Sequence, residues 1–403
     1  MNPNRLAHSG RDRRPIAGPV RVALLGLGGA AERILLPALR TVPRVEIVGG
    51  CDPDVSARER AVKEWRIPQV YKTPQELLDN LRPAVALVAT PPLTHPDLCL
   101  LALDRGCHVF CEKPFMPSIE TADRVIEAAR SANRLVAVDN QYYQMPIYQK
   151  VKQVLQSGQV GRLYNISVWQ HMQLLPAEEG GWKSALQPHR VLYEFGTHAL
   201  DLVCQFFGDY PISVTARTPR VRAEVDADVL VVLRLDFPGD RIATLVFNRI
   251  SHAPKKYLEM RLDCDEGSIR ASLGGVARLD IGWNSELGRP RTRFSLTAGG
   301  EARLERDGNS RLLARQPRNA FHGASAAHFA QFLSAINEGV EPAVSAAHAR
   351  EVLRVVFAGY DSAANGGDLV KLRADDLAER ATGETLNEGA RHAPVRTARV
   401  PAA

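Results

Sequence analysis

The sequence predicts an α/β protein in two parts: a doubly wound parallel sheet, then an α+β half built on a mostly antiparallel sheet. Three observations carry this prediction. Near Val20 the chain runs strand, Gly-x-Gly-x-x-Ala turn, helix. Strands and helices then alternate as far as Val138, the pattern of parallel βαβ units. After Gly158 the apolar residues shift to period-two runs with few helices between them.

The elements follow in order. Val20 to Leu25 is a short β-type run that leads into Gly26-Leu27-Gly28-Gly29-Ala30-Ala31, and a helix follows from Glu32 to Arg40. Val45 to Cys51 reads as the second strand, with Asp52 at its end, 21 residues beyond Ala31. Each part has a physical task. Gly26 permits the tight turn, Gly28 and Gly29 let backbone approach a pyrophosphate, and Ala30 and Ala31 keep the helix close to the sheet. The helix start offers free N–H groups and a positive dipole end to phosphate. Asp52 stands where an acid accepts from the adenosine ribose and repels a 2′-phosphate, so NAD is expected over NADP. Arg58 and Arg60 temper that preference and leave NADP possible.

Asp54 can cap a helix running to Arg66, and Thr73-Pro74 opens another. Ala84 to Ala89 is a buried-type strand ending in Thr90-Pro91-Pro92, and Thr94 can start a helix that runs through Arg105. Thr90, Pro91, Pro92 and His95 lie at a strand's carboxyl end, where ligands bind in open α/β sheets, and could wall the adenine or ribose. Next comes the strand Cys107 to Cys111, then Glu112-Lys113-Pro114. Proline lacks the N–H needed to extend a ladder, so Lys113 falls just past the strand end. A lysine there can donate to a substrate oxygen, though a short Glu-Lys-Pro is also an ordinary surface turn. A helix from Ser118 to Ser131 and a strand from Leu135 to Val138 close this half, with Asn140 at the rim.

After Tyr142 and Tyr143 a helix runs to about Ser157. Strands are expected at Leu163 to Gln173, Val229 to Asp236, Arg241 to Arg249, Tyr257 to Asp263 and Ser268 to Ala271. Phe237-Pro238-Gly239-Asp240 is a hairpin signal. Helices are expected at Phe321 to Glu338 and Ser345 to Asn365. Earlier in this half, Val191 to Phe207 shows helical spacing and places Glu194, His198 and Asp201 at i, i+4 and i+7 on one face. A histidine flanked by carboxylates suits a general base, because one acid can fix its tautomer. The same spacing also fits an exposed charge network.

Composition excludes several classes. The chain of 403 residues is 45% hydrophobic and 24% charged, an ordinary globular balance. No run of eighteen apolar residues points to a membrane span. The net charge of +6 comes without an aromatic-interleaved basic stripe, so nucleic acid is not the expected partner. The basic start, which has no apolar segment, is not expected to be a secretory signal. None of the six cysteines forms a C-x-x-C pair, and strand alternation separates His108 from Cys107 and Cys111, so no metal site and a reducing cytoplasm are expected. The expected organisation is a disordered basic arm over 1–19, a dinucleotide-binding Rossmann domain over 20–140, and a substrate and oligomerisation domain over 141–375. Its late helices, 321–365, pack back on the first domain, and 376–403 forms a mobile tail.

Taken in order, Gly26-x-Gly28, Asp52, Glu112-Lys113-Pro114 and Glu194-x-x-x-His198-x-x-Asp201 resemble the Gfo/Idh/MocA oxidoreductases, the glucose–fructose oxidoreductase and inositol dehydrogenase family. The resemblance spans about Val20 to Leu372. It implies an open sheet in the second domain that serves homo-oligomer contacts, in a dimer or tetramer, and a sugar, cyclitol or related polyol as substrate. It also implies hydride transfer between a carbinol carbon and nicotinamide. Lys113, beside the nicotinamide with Glu112, would polarise the oxygen, His198 would exchange its proton, and Glu194 would be its neighbour. Two further readings stay open on the same fold: a redox-neutral glycosidase or epimerase with tightly held NAD, and a non-catalytic sugar or nucleotide sensor. This chain has Glu194 where the family usually has Asp, and Gln141-Tyr142-Tyr143 where a basic residue usually follows Asn140. Trp182, Lys183, Tyr142 and Tyr143 are candidates for the substrate wall. His189 and Arg190 could bind an anionic sugar or only shape their loop.

Overall fold

The structure is a computed structural model; it describes residues 18–372 apart from 174–189 and breaks at 226, 253–255, 275, 285–288, 298 and 318–319. The expected N-terminal arm and C-terminal tail, and Trp182, Lys183 and His189, therefore lie outside the described residues. The first sheet contains β1 (Val20–Leu25), β2 (Val45–Cys51), β3 (Val70–Tyr71), β4 (Val85–Val88), β5 (His108–Cys111) and β6 (Val136–Val138). All its neighbours are parallel, in the order β3-β2-β1-β4-β5-β6. The order reverses between β1 and β4, the switch point at which such sheets bind ligands. Every residue of β4, β5 and β6 is buried, because helices cover both faces.

Local chemistry sets the helix starts. A π-helical turn, Ala31–Leu35, runs into α1 (Leu36–Leu39). Asp54 caps α2 (Val55–Lys63) by accepting from Ser56 N–H at 2.9 Å. Thr73 and Glu76 form a capping box on α3 (Pro74–Leu81), and Ser118 with Thr121 forms one on α5 (Ile119–Ser131). Thr94 does not cap α4 (His95–Asp104); its hydroxyl donates to the Pro91 carbonyl instead. The next helix is α6 (Pro146–Gln156).

Among the described residues the second sheet has nine strands. They are β7 (Leu163–His171), β8 (Ser213–Arg217), β9 (Leu230–Phe237), β10 (Arg241–Asn248), β11 (Lys256–Cys264), β12 (Gly267–Leu273), β15 (Gly300–Arg306), β16 (Asn309–Arg315) and β17 (Val370–Lys371). Its order is β16-β15-β12-β11-β7-β10-β9-β8-β17, and only β7 and β10 run parallel. β13 (Val276–Asn284) and β14 (Arg289–Thr297) pair as a separate ribbon. The hairpin at 237–240 forms, with Gly239 and Asp240 at φ 74° and 54°. Residues of one sheet face, such as Ile166, Leu233, Leu245 and Met260, enter the core, while Trp169 and Val232 on the other face are exposed.

Three helices join the halves: α7 (Thr197–Phe207), α8 (Ala320–Glu338) and α9 (Ala346–Ala364). Phe329 and Phe332 of α8 pack on Phe110 of β5, at 5.1 and 5.7 Å between ring centroids. Ser325 and His328 of the same helix donate to the buried Asp139, just past β6, at 3.0 and 3.1 Å. No helix among the described residues is long and apolar enough to cross a membrane. All six cysteines are free and buried, and the described residues hold no metal-binding group of histidine, cysteine and carboxylate side chains.

Candidate active site

The site is built from three stretches that meet at the carboxyl edge of the first sheet. The first is the glycine turn. Gly26 has φ 99°, and a Cβ there would lie 2.5 Å from the Ala89 carbonyl oxygen, so only glycine fits. A Cβ on Gly28 would meet nothing within 4 Å, which leaves open space above the turn. A Cβ on Gly29 would press on the Arg33 guanidinium at 2.9 Å. No side chain caps the π-helical turn at Ala31, and the Glu32 N–H donates to the Gly28 carbonyl at 3.0 Å. Asp52 accepts from Leu27 N–H and Asp54 N–H, both at 2.9 Å, which ties the turn to the end of β2. A carboxylate has lone pairs beyond these two. The Arg58 guanidinium donates to the Asp52 and Pro53 carbonyls at 2.6 and 2.9 Å and thus sits beside the same acid. The turn and the acid fit a dinucleotide.

The second stretch follows β5. Glu112 is buried and accepts from Lys113 N–H at 3.1 Å. Burial, helped by the Asp139 carboxylate, pushes its carboxyl up to about 8. Lys113 reaches across the cleft, and its Nζ donates to the Glu194 carbonyl at 3.4 Å. The Lys113–Pro114 peptide is cis. Asn140, past the end of β6, is buried, and its Oδ1 has no hydrogen-bond partner among the described residues. A buried acceptor left open is costly unless a ligand donates to it.

His95 does not line this cleft, contrary to expectation. It is fully buried, with Nδ1 3.1 Å from the Pro114 and Phe115 carbonyls and Nε2 2.9 Å from the Thr90 carbonyl. Burial lowers its pKa. It ties the loop after β4 to the loop after β5 and leaves the rim to Thr90 and Pro91, which are half-buried; Pro92 is buried. Sequence could not distinguish these cases, because His95 would start a helix in both.

The third stretch carries Glu194 and His198. A π-helical segment, Leu192–Gly196, continues into α7. Its start is capped from 36 to 38 positions away: Asp228 accepts from the N–H groups of Arg190, Val191 and Leu192 at 2.6, 2.8 and 3.1 Å. Tyr360 of α9 donates to the same carboxylate at 2.9 Å. Nothing near Val191 in the sequence signals this cap.

The expected trio of Glu194, His198 and Asp201 does not act as one group. Glu194 pairs with Arg190 at 3.3 Å, both side chains being buried. Arg190 is 1% exposed and held in this pair, so it shapes the wall and is not an open anion site. Asp201 accepts from His348 of α9 at 2.7 Å, and Tyr210 lies 2.8 Å from the other nitrogen of that ring. The π-helical segment changes the angular spacing; Arg190, four residues back, holds Glu194, and His348, from across the fold, holds Asp201. His198 is buried, and burial together with the Lys113 ammonium holds its pKa well below the ordinary histidine value. Lys113, bonded to the Glu194 carbonyl, stands against the helical stretch that carries His198. Tyr142 lies flat on the His198 ring, 4.0 Å between centroids and 5° between planes. Tyr143 is buried under Lys152, whose Nζ stands 4.6 Å over its ring, and so belongs to the core behind the wall. Arg249, which the sequence did not single out, lies 3.5 Å over the Phe195 ring.

Comparison with known proteins matches this layout. Residues 20–140 match the sequence model of the GFO_IDH_MocA oxidoreductase family's NAD-binding Rossmann fold, and residues 148–270 match the family's C-terminal domain. The chain belongs to the Gfo/Idh/MocA oxidoreductase family. It is 28% identical to D-glucoside 3-dehydrogenase of Escherichia coli over 196 residues, 48% of this chain and 55% of that enzyme. The chain spans 55% and 62% of the length of two of the curated relatives it matches. Among solved structures, myo-inositol 2-dehydrogenase from Lactobacillus plantarum shares the fold with a TM-score of 0.71 at 20% identity, covering 88% of this chain and 100% of that one. An Agrobacterium radiobacter oxidoreductase, crystallised with NAD+, L-tartaric acid and magnesium, gives 0.73 at 20% identity, covering 87% and 98%. The span matched by the family's NAD-binding Rossmann fold includes the glycine turn and Asp52.

Proposed function

We propose that this Gfo/Idh/MocA protein is an NAD-dependent dehydrogenase acting on the CH–OH group of a sugar, cyclitol or related polyol. The observation that carries the reading is Lys113 Nζ on the Glu194 carbonyl, four residues before His198. NAD, when bound, supplies the acceptor for the substrate's hydride. The N–H groups of the turn would hold its pyrophosphate, Asp52 its ribose and the open Asn140 Oδ1 a carboxamide N–H. Lys113 donates to the substrate hydroxyl oxygen and stabilises the negative charge that grows there as the proton leaves. His198, kept neutral by burial and by Lys113, accepts that proton. The relatives' names, glucoside 3-dehydrogenase and inositol 2-dehydrogenase, support a secondary alcohol on a ring. Asp52 favours NAD over NADP. Exposed Trp169 and Val232 on the open face of the nine-stranded sheet suit contact with a second copy of the chain, and the protein is expected in the cytoplasm.

Fluorescence titration with NADH and NADPH side by side tests the cofactor half of the proposal. NADH should bind at least tenfold more tightly, and Asp52→Ala should narrow the gap. Equal affinity in the wild type would remove the role given to Asp52, and binding of neither nucleotide by the folded protein would sink the dehydrogenase reading.

A further inference from the structure

We infer that Tyr142 is the positioning residue of His198, holding the imidazole by stacking where a hydrogen-bonded carboxylate would ordinarily hold it. The inference rests on the proposed role of His198 as base. A general base must present one nitrogen in a fixed direction, and a partner on the other nitrogen normally fixes the ring. That partner is missing here: His198 Nδ1 is buried without a hydrogen bond among the described residues. The two carboxylates on its own helix are engaged elsewhere, Glu194 by Arg190 and Asp201 by His348.

The parallel contact with Tyr142, 4.0 Å and 5°, is the restraint that remains. Two flat rings in face contact resist rotation of either ring out of the shared plane. The imidazole keeps only its 180° flip about Cβ–Cγ. Tyr142 can serve as such a platform because it is itself fixed. It is 7% exposed, sits in the short 3-10 turn Gln141–Gln144 directly after Asn140, and meets the Phe321 ring of α8 edge-on at 5.7 Å. The groups around His198 come from several elements: Lys113 after β5, Tyr142 after β6, and Glu194 and Asp201 on its own helix. Tyr142 is therefore a wall of the base rather than a contact for the substrate.

Three variants test this: Tyr142→Phe keeps the flat ring, Tyr142→Leu keeps an apolar filling without it, and His198→Ala removes the base. The first readout needs no substrate. In protein labelled at the histidine rings, the His198 Cε1–H resonance, assigned by its loss in His198→Ala, should be shifted upfield by the stacked ring and relax as a rigid group. Tyr142→Phe should preserve both properties, and Tyr142→Leu should abolish the shift and raise ring mobility. An unchanged resonance in Tyr142→Leu overturns the inference. The second readout is turnover with NAD and a polyol that the wild type oxidises. Tyr142→Leu should lose roughly ten- to a hundredfold in kcat with little change in KM, as displaced catalytic groups do. Tyr142→Phe should stay within about twofold of wild type. A loss in Tyr142→Phe as large as in Tyr142→Leu would assign the function to the hydroxyl and overturn stacking. If His198→Ala keeps full turnover, the base reading fails regardless. If it loses turnover while Tyr142→Leu does not, only the positioning inference fails.

Discussion

Main-chain groups build the glycine turn, whereas side chains build the wall that carries His198. At the glycine turn the work is done by backbone N–H groups, a left-handed glycine and a short loop, with Asp52 bonded to two nearby amides. Around His198 it is done by Arg190 on Glu194, His348 on Asp201, Tyr142 on the imidazole and Asp228 beneath the helix start. Main-chain requirements restrict residue type at fixed spacing, so they are written locally. Side-chain pairings across a fold are met by many residue types and leave no local mark.

The comparison breaks most sharply at Gly26. Gly26→Ala puts a methyl 2.5 Å from a backbone oxygen at a φ of 99°, and neither can move without shifting the end of β4. Nucleotide affinity should fall by at least a hundredfold, read by NADH fluorescence, with folding checked by circular dichroism. A variant that binds NADH normally would show that the turn is looser than described.

On the other side, Asp228→Ala should cost about 3 kcal/mol in urea unfolding, since it strips one acceptor from three buried N–H groups and a tyrosine hydroxyl. Cofactor binding should be largely retained, because this cap serves the His198 wall only. If Asp228→Ala weakens NADH as much as Gly26→Ala does, the two walls are not separate.

A smaller, graded effect comes from Glu112, which lies between them. Its carboxyl is raised to about 8 in the folded protein by burial and by Asp139, while the unfolded chain titrates near the ordinary glutamate value. Between those values the folded state holds the extra proton. Stability from this group therefore falls as pH rises from about 4.5 to about 8 and levels off above. Glu112→Gln should flatten that decline, measured by urea unfolding at pH 5, 6.5 and 8. Parallel curves for the two proteins would mean that Glu112 is already ionised at pH 6.5.

Much of the fold was legible for the same reason. The strand runs at Val20 and Val45, the caps at Asp54, Thr73 and Ser118 and the hairpin at Gly239 are local signals, and the elements appear where they stand. The strands of β8 and β13 to β16 went unread. In β15 charged residues occupy buried or half-buried positions, and in β16 Leu312, Leu313 and Ala314 run together on a half-exposed edge, so neither strand shows a clean period-two contrast. At the site, Lys113 and His198 stand out in the sequence because one is punctuated by proline and the other sits in a periodic helix. Helix spacing shows which residues share a face, not which partner each one takes: Asp201 is reached by His348 from across the fold, and Glu194 turns to Arg190 four residues before it. His95 illustrates the converse, a histidine at a ligand-binding edge that three carbonyls turn inward.

The central claim is that Lys113 and His198 form the proton-transfer pair of an NAD-dependent dehydrogenase. The most direct measurement is NADH formation at the nicotinamide absorbance, with inositols and glucosides, by wild type, Lys113→Ala and His198→Ala, each shown by fluorescence to bind NADH. Both variants should bind the nucleotide within a few-fold of wild type and lose roughly a hundred- to ten-thousandfold in kcat. Full turnover by either variant on a polyol that the wild type oxidises would contradict the account.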